Sequence, residues 1–373
     1  MKNTMTNTFL FSLLILLQLT FSSAQTTVVK GGYWYSDAGL AASDIDSTLF
    51  THLFCAFADL DTTTNQLTIS SSNAQPFSTF TETVQQNNPS VKTLLSIGGG
   101  GGSSLAQTFS TMANQSSTRK TFIDSSIQIA RANNFHGLDL DWEYPNSDAD
   151  KTNYASLITE WREAVKEESR TSGLPELLLT AAVAGSDQIS LLENYPVQEI
   201  SQNLDWVNAM VYDLFIPEGY PTETQPPAPL KNPIGQFSGD QGISKWVELG
   251  LSESKLAIGL PFYGYSWRLV SGDEHGLFAA ANGAADSGGG AIGYGDIVRD
   301  YVNKGAQRVY NSTFVTDYCY SGTTWIGYDD TQSVTAKVDY AKERGLVGYF
   351  AWQLGGDDDS WTLSKAASNA WGA

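Results

Sequence analysis

Eight short apolar runs recur along the 373-residue chain, at 28–34, 50–58, 92–97, 135–142, 176–183, 205–212, 255–262 and 345–352. Most are near-continuous hydrophobic stretches rather than half-polar alternations, which is the pattern of parallel strands covered on both faces. Helical patterns lie between several of them. Tyr154, Leu157, Ile158, Trp161 and Val165 fall at i, i+3, i+4, i+7 and i+11 with Gly173 as a stop, and Phe122, Ile123 and Ile127 mark a second helix. Ser333 is placed to cap a third, carrying Val334, Val338 and Ala341 and ending near Gly345. Strand–helix alternation over eight units predicts an α/β fold, a (β/α)8 TIM barrel. The chain exceeds the ~250 residues typical of such barrels, and the excess lies between the seventh and eighth runs. Residues 268–330, with turn clusters such as 287–290 and strand-like pieces such as 323–328, read as a small α+β insertion domain; their aromatic residues argue against a long disordered loop. The barrel then takes 25–267 and 331–373, with 1–24 set aside as a signal peptide.

That assignment rests on Lys2, the apolar run 9–21 and the small residues Ser22, Ser23 and Ala24, a cleavage-site pattern too short for a spanning helix. A secreted protein is expected, with the vacuole as the alternative destination. Asn114 and Asn311 open Asn-x-Ser/Thr sequons and are the candidate glycosylation sites. Cys55 and Cys319 lie far apart, and a domain of this size does not need a disulfide, so two free thiols are expected. The net charge of −19 opposes binding to nucleic acid or anionic membranes. No metal or other cofactor is implied: with three histidines in the chain, zinc has little support.

The most informative segment is His136-Gly-Leu-Asp-Leu-Asp-Trp-Glu-Tyr-Pro145. Side chains alternate along a strand, so Asp139, Asp141 and Glu143 share one face and Leu138, Leu140 and Trp142 the other. In a barrel the acids point inward and climb toward the C-terminal rim, with Glu143 at the mouth. Three carboxylates at intervals of ~7 Å or less do not all ionise away from bulk water, so a proton is retained among them. Glu143 is thereby favoured as a general acid. A solvated edge strand and a calcium site are the plainer alternatives. The apolar Leu-Leu-Trp face counts against the first, and the lack of calcium-loop spacing against the second. If the chain is a glycosidase, neighbours on one strand lie on the same side of the sugar. The nucleophile is then either a carboxylate from another strand or a group of the substrate itself.

This decapeptide, the segments 92–99 (Lys-Thr-Leu-Leu-Ser-Ile-Gly-Gly), 210–213 (Met-Val-Tyr-Asp) and 345–352 (Gly-Leu-Val-Gly-Tyr-Phe-Ala-Trp), and the wording of 53–60, 310–313, 317–320 and 325–330 together resemble glycoside hydrolase family 18, and within it the plant class V chitinases. The resemblance spans nearly the whole chain. It implies a (β/α)8 barrel with an α+β insertion before the last strand, and an endo-acting chitinase that hydrolyses β-1,4 bonds between N-acetylglucosamine units by substrate-assisted, retaining catalysis. Carried over by motif, the catalytic set is Glu143, Asp141, Asp139 and Tyr212. Glu143 protonates the leaving oxygen, Asp141 orients the substrate's acetamido group, Asp139 steadies Asp141, and Tyr212 bonds the acetamido oxygen. Tyr33, Ser96, Met210, Asp213 and Trp352 complete the substrate site, with Trp352 as its floor, and Trp267 is a candidate for a further subsite. The partners implied are chitin or N-acetylglucosamine oligomers, bound by a monomer. One departure is His136, which stands where the family motif usually opens with Asp. A chitin-binding lectin or inhibitor on the same barrel, or a hydrolase preferring lipochitooligosaccharides or peptidoglycan, are the competing expectations. The proline-rich loop 214–233 is a candidate determinant of that choice.

Overall fold

The computed structural model describes residues 28–186, 191–235, 237–285 and 289–372. The expected signal peptide and part of the 287–290 turn cluster lie outside these residues. The eight barrel strands run Val29–Tyr35, His52–Leu60, Lys92–Gly98, Gly137–Asp141, Leu178–Ala184, Trp206–Met210, Leu256–Pro261 and Gly348–Trp352. Each pairs in parallel with its neighbours, and the first pairs with both the second and the last, so the sheet closes. Closure leaves two apolar regions. Tyr33, Phe54, Leu94, Trp206 and Phe350 fill the barrel, while the outward faces of the strands pack under the helices in a larger core with Leu138, Leu140 and Trp142. This is the two-faced burial that the continuous apolar runs require. No helix among the described residues is long and apolar enough to cross a membrane.

The helix after the fourth strand, Asp148–Ser172, buries Tyr154, Leu157, Ile158, Trp161 and Val165 and stops at Gly173 in the left-handed conformation. Helix Thr331–Arg344 also ends at a left-handed glycine, Gly345, but its cap is Asp330 rather than Ser333. Ser333 sits in the first turn, and its hydroxyl accepts from the Asp330 backbone N–H in a reciprocal capping box.

Between the seventh and eighth barrel strands a second, six-stranded sheet is built on Tyr263–Leu269, Thr324–Tyr328, Thr316–Ser321 and Gln307–Asn311, with Ala281–Ala284 and Ala291–Gly293 at one edge. Tyr263–Leu269 pairs antiparallel with Ala291–Gly293 and Thr324–Tyr328. The second sheet therefore begins at Tyr263, and 263–267, assigned to the barrel by the sequence pattern, belong to the insertion. An apolar run that passes from one sheet to another shows no break in hydrophobicity at the junction.

Candidate active site

The phase of the fourth strand is as its alternation dictates. Asp139 and Asp141 are buried inside the barrel, Leu138, Leu140 and Trp142 are buried outside it, and Glu143 follows the strand end half-buried at the mouth. The third strand leaves room for them. At Gly98, φ is +107°, and a Cβ would meet the Asp141 carbonyl oxygen at 2.4 Å. The next residue, Gly99, donates its N–H to that same oxygen at 2.9 Å. A side chain at Gly98 would break this close approach.

Strand register sets the environment of Asp139. Ser96 on one neighbouring strand and Thr180 on the other lie level with it. The Ser96 hydroxyl donates to Oδ2 at 2.7 Å and the Thr180 hydroxyl to Oδ1 at 2.6 Å. Tyr33 reaches across the barrel and donates to Oδ2 at 2.9 Å. Asn208 donates to the Tyr33 hydroxyl at 2.8 Å, and Trp206 to the Asn208 oxygen at 3.0 Å. A hydrogen-bonded column thus runs from the barrel floor up to Asp139. Burial pushes the Asp139 carboxyl above its ordinary range, and the three hydroxyls oppose that rise. Tyr33 and Ser96 are buried and hold Asp139, so they support the site from beneath rather than face the cleft.

Asp141 is treated differently. Its Oδ1 is buried without a hydrogen-bond partner. Burial first, then the charges of Glu143 and Asp139, push its carboxyl well above the usual range. Glu143 is raised as well: burial dominates, a hydrogen bond with Tyr144 pulls the other way, and the charge of Asp213 adds to the rise. All three stacked carboxyls are therefore pushed toward holding a proton, Asp139 against the pull of three hydroxyls, and the uppermost, Glu143, is the least buried. A raised carboxyl is the direction of shift that a general acid needs.

The walls come from other strand ends. Tyr212 leans over Gly259, where a Cβ would meet its ring at 2.7 Å, and packs edge-on to Tyr263 and Phe350. Met210, half-buried, packs beside it. Trp352, at the end of the last strand, is half-buried with its ring centroid 5.6 Å from Tyr33, 5.5 Å from Phe57 and 6.1 Å from Tyr35. Asp213 lies at the rim, its carboxyl bonded to the hydroxyls of Tyr263 and Tyr265.

Trp267 does not reach this site. It is fully buried in the second sheet, edge-on to Trp325, with its indole N–H donating to the Tyr220 carbonyl at 2.8 Å. Its side chain alternates into the insertion core, so its apolar bulk packs rather than lining a subsite. His136 lies at the opposite end of the fourth strand, roughly 20 Å from Glu143 by strand rise. It bonds Thr93 there. Thr180, Asn208, Tyr35, Phe57 and Tyr265 are the site residues that motif reading missed. For Thr180 and Asn208 the available signal was a polar residue in the middle of an apolar run.

The model of the family described as glycosyl hydrolases family 18 matches residues 29–357. The chain is 53% identical to a class V chitinase of Arabidopsis thaliana, over 100% of this chain and 97% of that protein. Among solved structures, a chitinase-like agglutinin from Robinia pseudoacacia is 64% identical with a TM-score of 0.89, covering 92% of this chain and 100% of that one. A mutant class V chitinase from Nicotiana tobaccum in complex with NAG4 is 52% identical with a TM-score of 0.89, covering 93% and 99%.

Proposed function

The chain belongs to glycosyl hydrolases family 18, and from that premise we propose that it is an endo-acting chitinase that cleaves β-1,4 bonds between N-acetylglucosamine units with substrate assistance. The observation that carries the reading is the vertical order of the acids: Asp139 fully bonded, Asp141 with an unpartnered oxygen, and Glu143 raised and open at the mouth. Glu143 donates its proton to the glycosidic oxygen as the bond to the anomeric carbon breaks. The substrate's acetamido oxygen attacks that carbon and forms an oxazolinium ion, while Asp141 accepts from the acetamido N–H. Tyr212 donates to the acetamido oxygen, and Trp352 lies under the sugar. Water, deprotonated by Glu143, then opens the ring with overall retention.

The test is a product time course on an N-acetylglucosamine hexamer beside a fatty-acylated analogue, with the anomer of the first product recorded. Internal cleavage giving β-anomers supports the reading, and an initial α-anomer contradicts retention. Faster turnover of the acylated analogue would move the substrate to lipochitooligosaccharides. The likeness to the Robinia agglutinin favours a second reading, a lectin that binds chitin oligomers without cleaving them. Binding without product from the unmodified protein would establish it.

Secretion of a monomer is part of the same proposal. Asn114 is the favoured glycosylation site because it is exposed at a helix end, whereas the half-buried Asn311 uses its Oδ1 to accept from the N–H groups of Thr313 and Phe314. Mass spectrometry of the protein secreted from a plant host would check both sites.

A further inference from the structure

The hydrogen bonds of His136 fix which of its ring nitrogens carries the proton. The Thr93 backbone N–H, which can only donate, reaches Nδ1 at 3.1 Å. Nδ1 is therefore an acceptor, and the neutral ring carries its proton on Nε2. The ring is neutral at pH 7, because burial first, then the charges of Lys92 and Arg131, push its pKa down to about 4. Nε2 lies 3.4 Å from Gln85 Nε2. That Gln85 nitrogen donates to the Val91 carbonyl at 3.0 Å, which only the NH2 end of the amide can do. Two donors thus face each other, and neither satisfies the other. Among the described residues His136 Nε2 has no other hydrogen-bond partner.

Both groups line the cavity of about 550 Å³ at the barrel floor, between helix Ala74–Gln85, the end of helix Ser116–Ala132 and the loop 173–177. Its charged side chains are Lys92, Arg131 and Glu176. Arg131 is paired with Glu168 and Glu176 with Arg162, so Lys92 is the cavity's one charged group without an ion pair among the described residues. Much of the remaining wall is apolar, from Phe135, Leu174, Pro175 and Leu178. Leu174 is 49% exposed, a large aliphatic side chain left in water.

We propose that this cavity binds an organic carboxylate with an apolar body: one carboxylate oxygen accepts from the His136 Nε2–H and from the second hydrogen of the Gln85 amide, Lys92 supplies the counter-charge, and the apolar part lies against Phe135, Leu174 and Leu178. An acceptor oxygen between the two nitrogens removes the donor–donor conflict, whereas a cation or a further N–H donor sharpens it. The pairing of an anionic acceptor with two N–H groups and an ammonium is of the charge-assisted kind. An inorganic anion answers the polar groups but leaves the apolar wall and most of the volume unfilled, and that volume is in the range of small-molecule sites. The cavity lies at the opposite end of the fourth strand from Glu143, so this site is separate from the cleft and stands whether the chain hydrolyses chitin oligomers or only binds them.

The experiment is a calorimetric titration at pH 7 and low salt with 2-naphthoate as the probe, beside its uncharged analogue 2-naphthalenemethanol. The His136 ring signals are followed by NMR and assigned by their absence in His136→Gln. Saturable one-to-one binding of the carboxylate with a shift of those signals is expected, and the alcohol is expected to bind about tenfold more weakly or worse, the scale of one hydrogen bond to a charged group. Lys92→Met removes the cation at an exposed position, and His136→Asp sets a like charge where the carboxylate lies. Each is expected to weaken 2-naphthoate about tenfold or more while binding of an N-acetylglucosamine tetramer is unchanged. Lys92→Met and the NMR shifts decide the matter by themselves if His136→Asp fails to fold. The proposal is overturned by the lack of saturable binding, by equal affinity for the alcohol, by unmoved His136 signals or by full affinity in Lys92→Met. Displacement of the probe by the tetramer overturns it as well, since the probe then sits in the cleft.

Discussion

The two ends of the barrel bury ionisable groups to opposite effect. At the C-terminal mouth Asp139, Asp141 and Glu143 are all pushed above the ordinary carboxylate range, with burial as the largest cause. At the N-terminal floor His52 and His136 are pushed down to about 4, again by burial first and then by the charge of Lys92. One rule governs both, since a group removed from water prefers its neutral form. A neutral carboxyl keeps an acidic proton to give, whereas a neutral imidazole has already lost the one it could give near neutral pH. Chemistry is placed by the type of group buried under an opening, and not by how many titratable groups an end contains. The floor has space of its own, a cavity of about 550 Å³ beside His136 and Lys92. Its Arg131 is already committed to Glu168 and the Pro175 carbonyl.

The strongest attempt to break the contrast removes the proton at the mouth. Glu143→Gln is expected to lower chitin-oligomer hydrolysis by about 10³-fold or more while oligomer binding persists, within or above the range for a general acid. Turnover assays paired with calorimetric binding would check it, and full hydrolysis by the variant would remove Glu143 from the role. Asp141→Asn is expected to cost roughly 10²-fold in kcat and, because a buried carboxyl that resists ionisation weakens the fold at neutral pH, to raise the unfolding midpoint at pH 7. A fall in both activity and stability would show that Asp141 serves packing first.

At the floor the sign reverses. The folded-state value of His52, about 4, lies below its ordinary 6.5, so the unfolded chain binds the proton more readily. The contribution of His52 to stability is complete above pH 6.5 and is lost as the pH falls from there toward 4. His52→Gln is expected to reduce that acid loss by about 3 kcal/mol with unchanged turnover at neutral pH, as read from urea midpoints between pH 4 and 7. The smallest expected effect is that of Thr180→Val, which leaves Asp139 Oδ1 without its donor. It should cost about 1–2 kcal/mol of stability with a more modest drop in rate than Asp141→Asn, checked by denaturant titration beside kinetics.

Much of this molecule is legible in its sequence. Eight apolar runs and the helices between them are local periodic signals, and each barrel strand lies within a few residues of its run. The alternation over 137–143 alone dictated that Asp139, Asp141 and Glu143 face one way and Trp142 the other, because the period of a strand is set by backbone geometry. What local pattern does not encode is which strand lies level with which. Register and closure across the barrel brought Thr180 and Tyr33 to Asp139, from 41 and 106 positions away in sequence, and Asn208 to Tyr33. The packing of the second sheet buried Trp267, which its sequence neighbourhood had offered to the cleft, and turned Tyr265 toward Asp213 instead. An aromatic residue reads the same in sequence whether it fills a core or lines a groove, and only the tertiary arrangement decides which of its faces water or a sugar can reach.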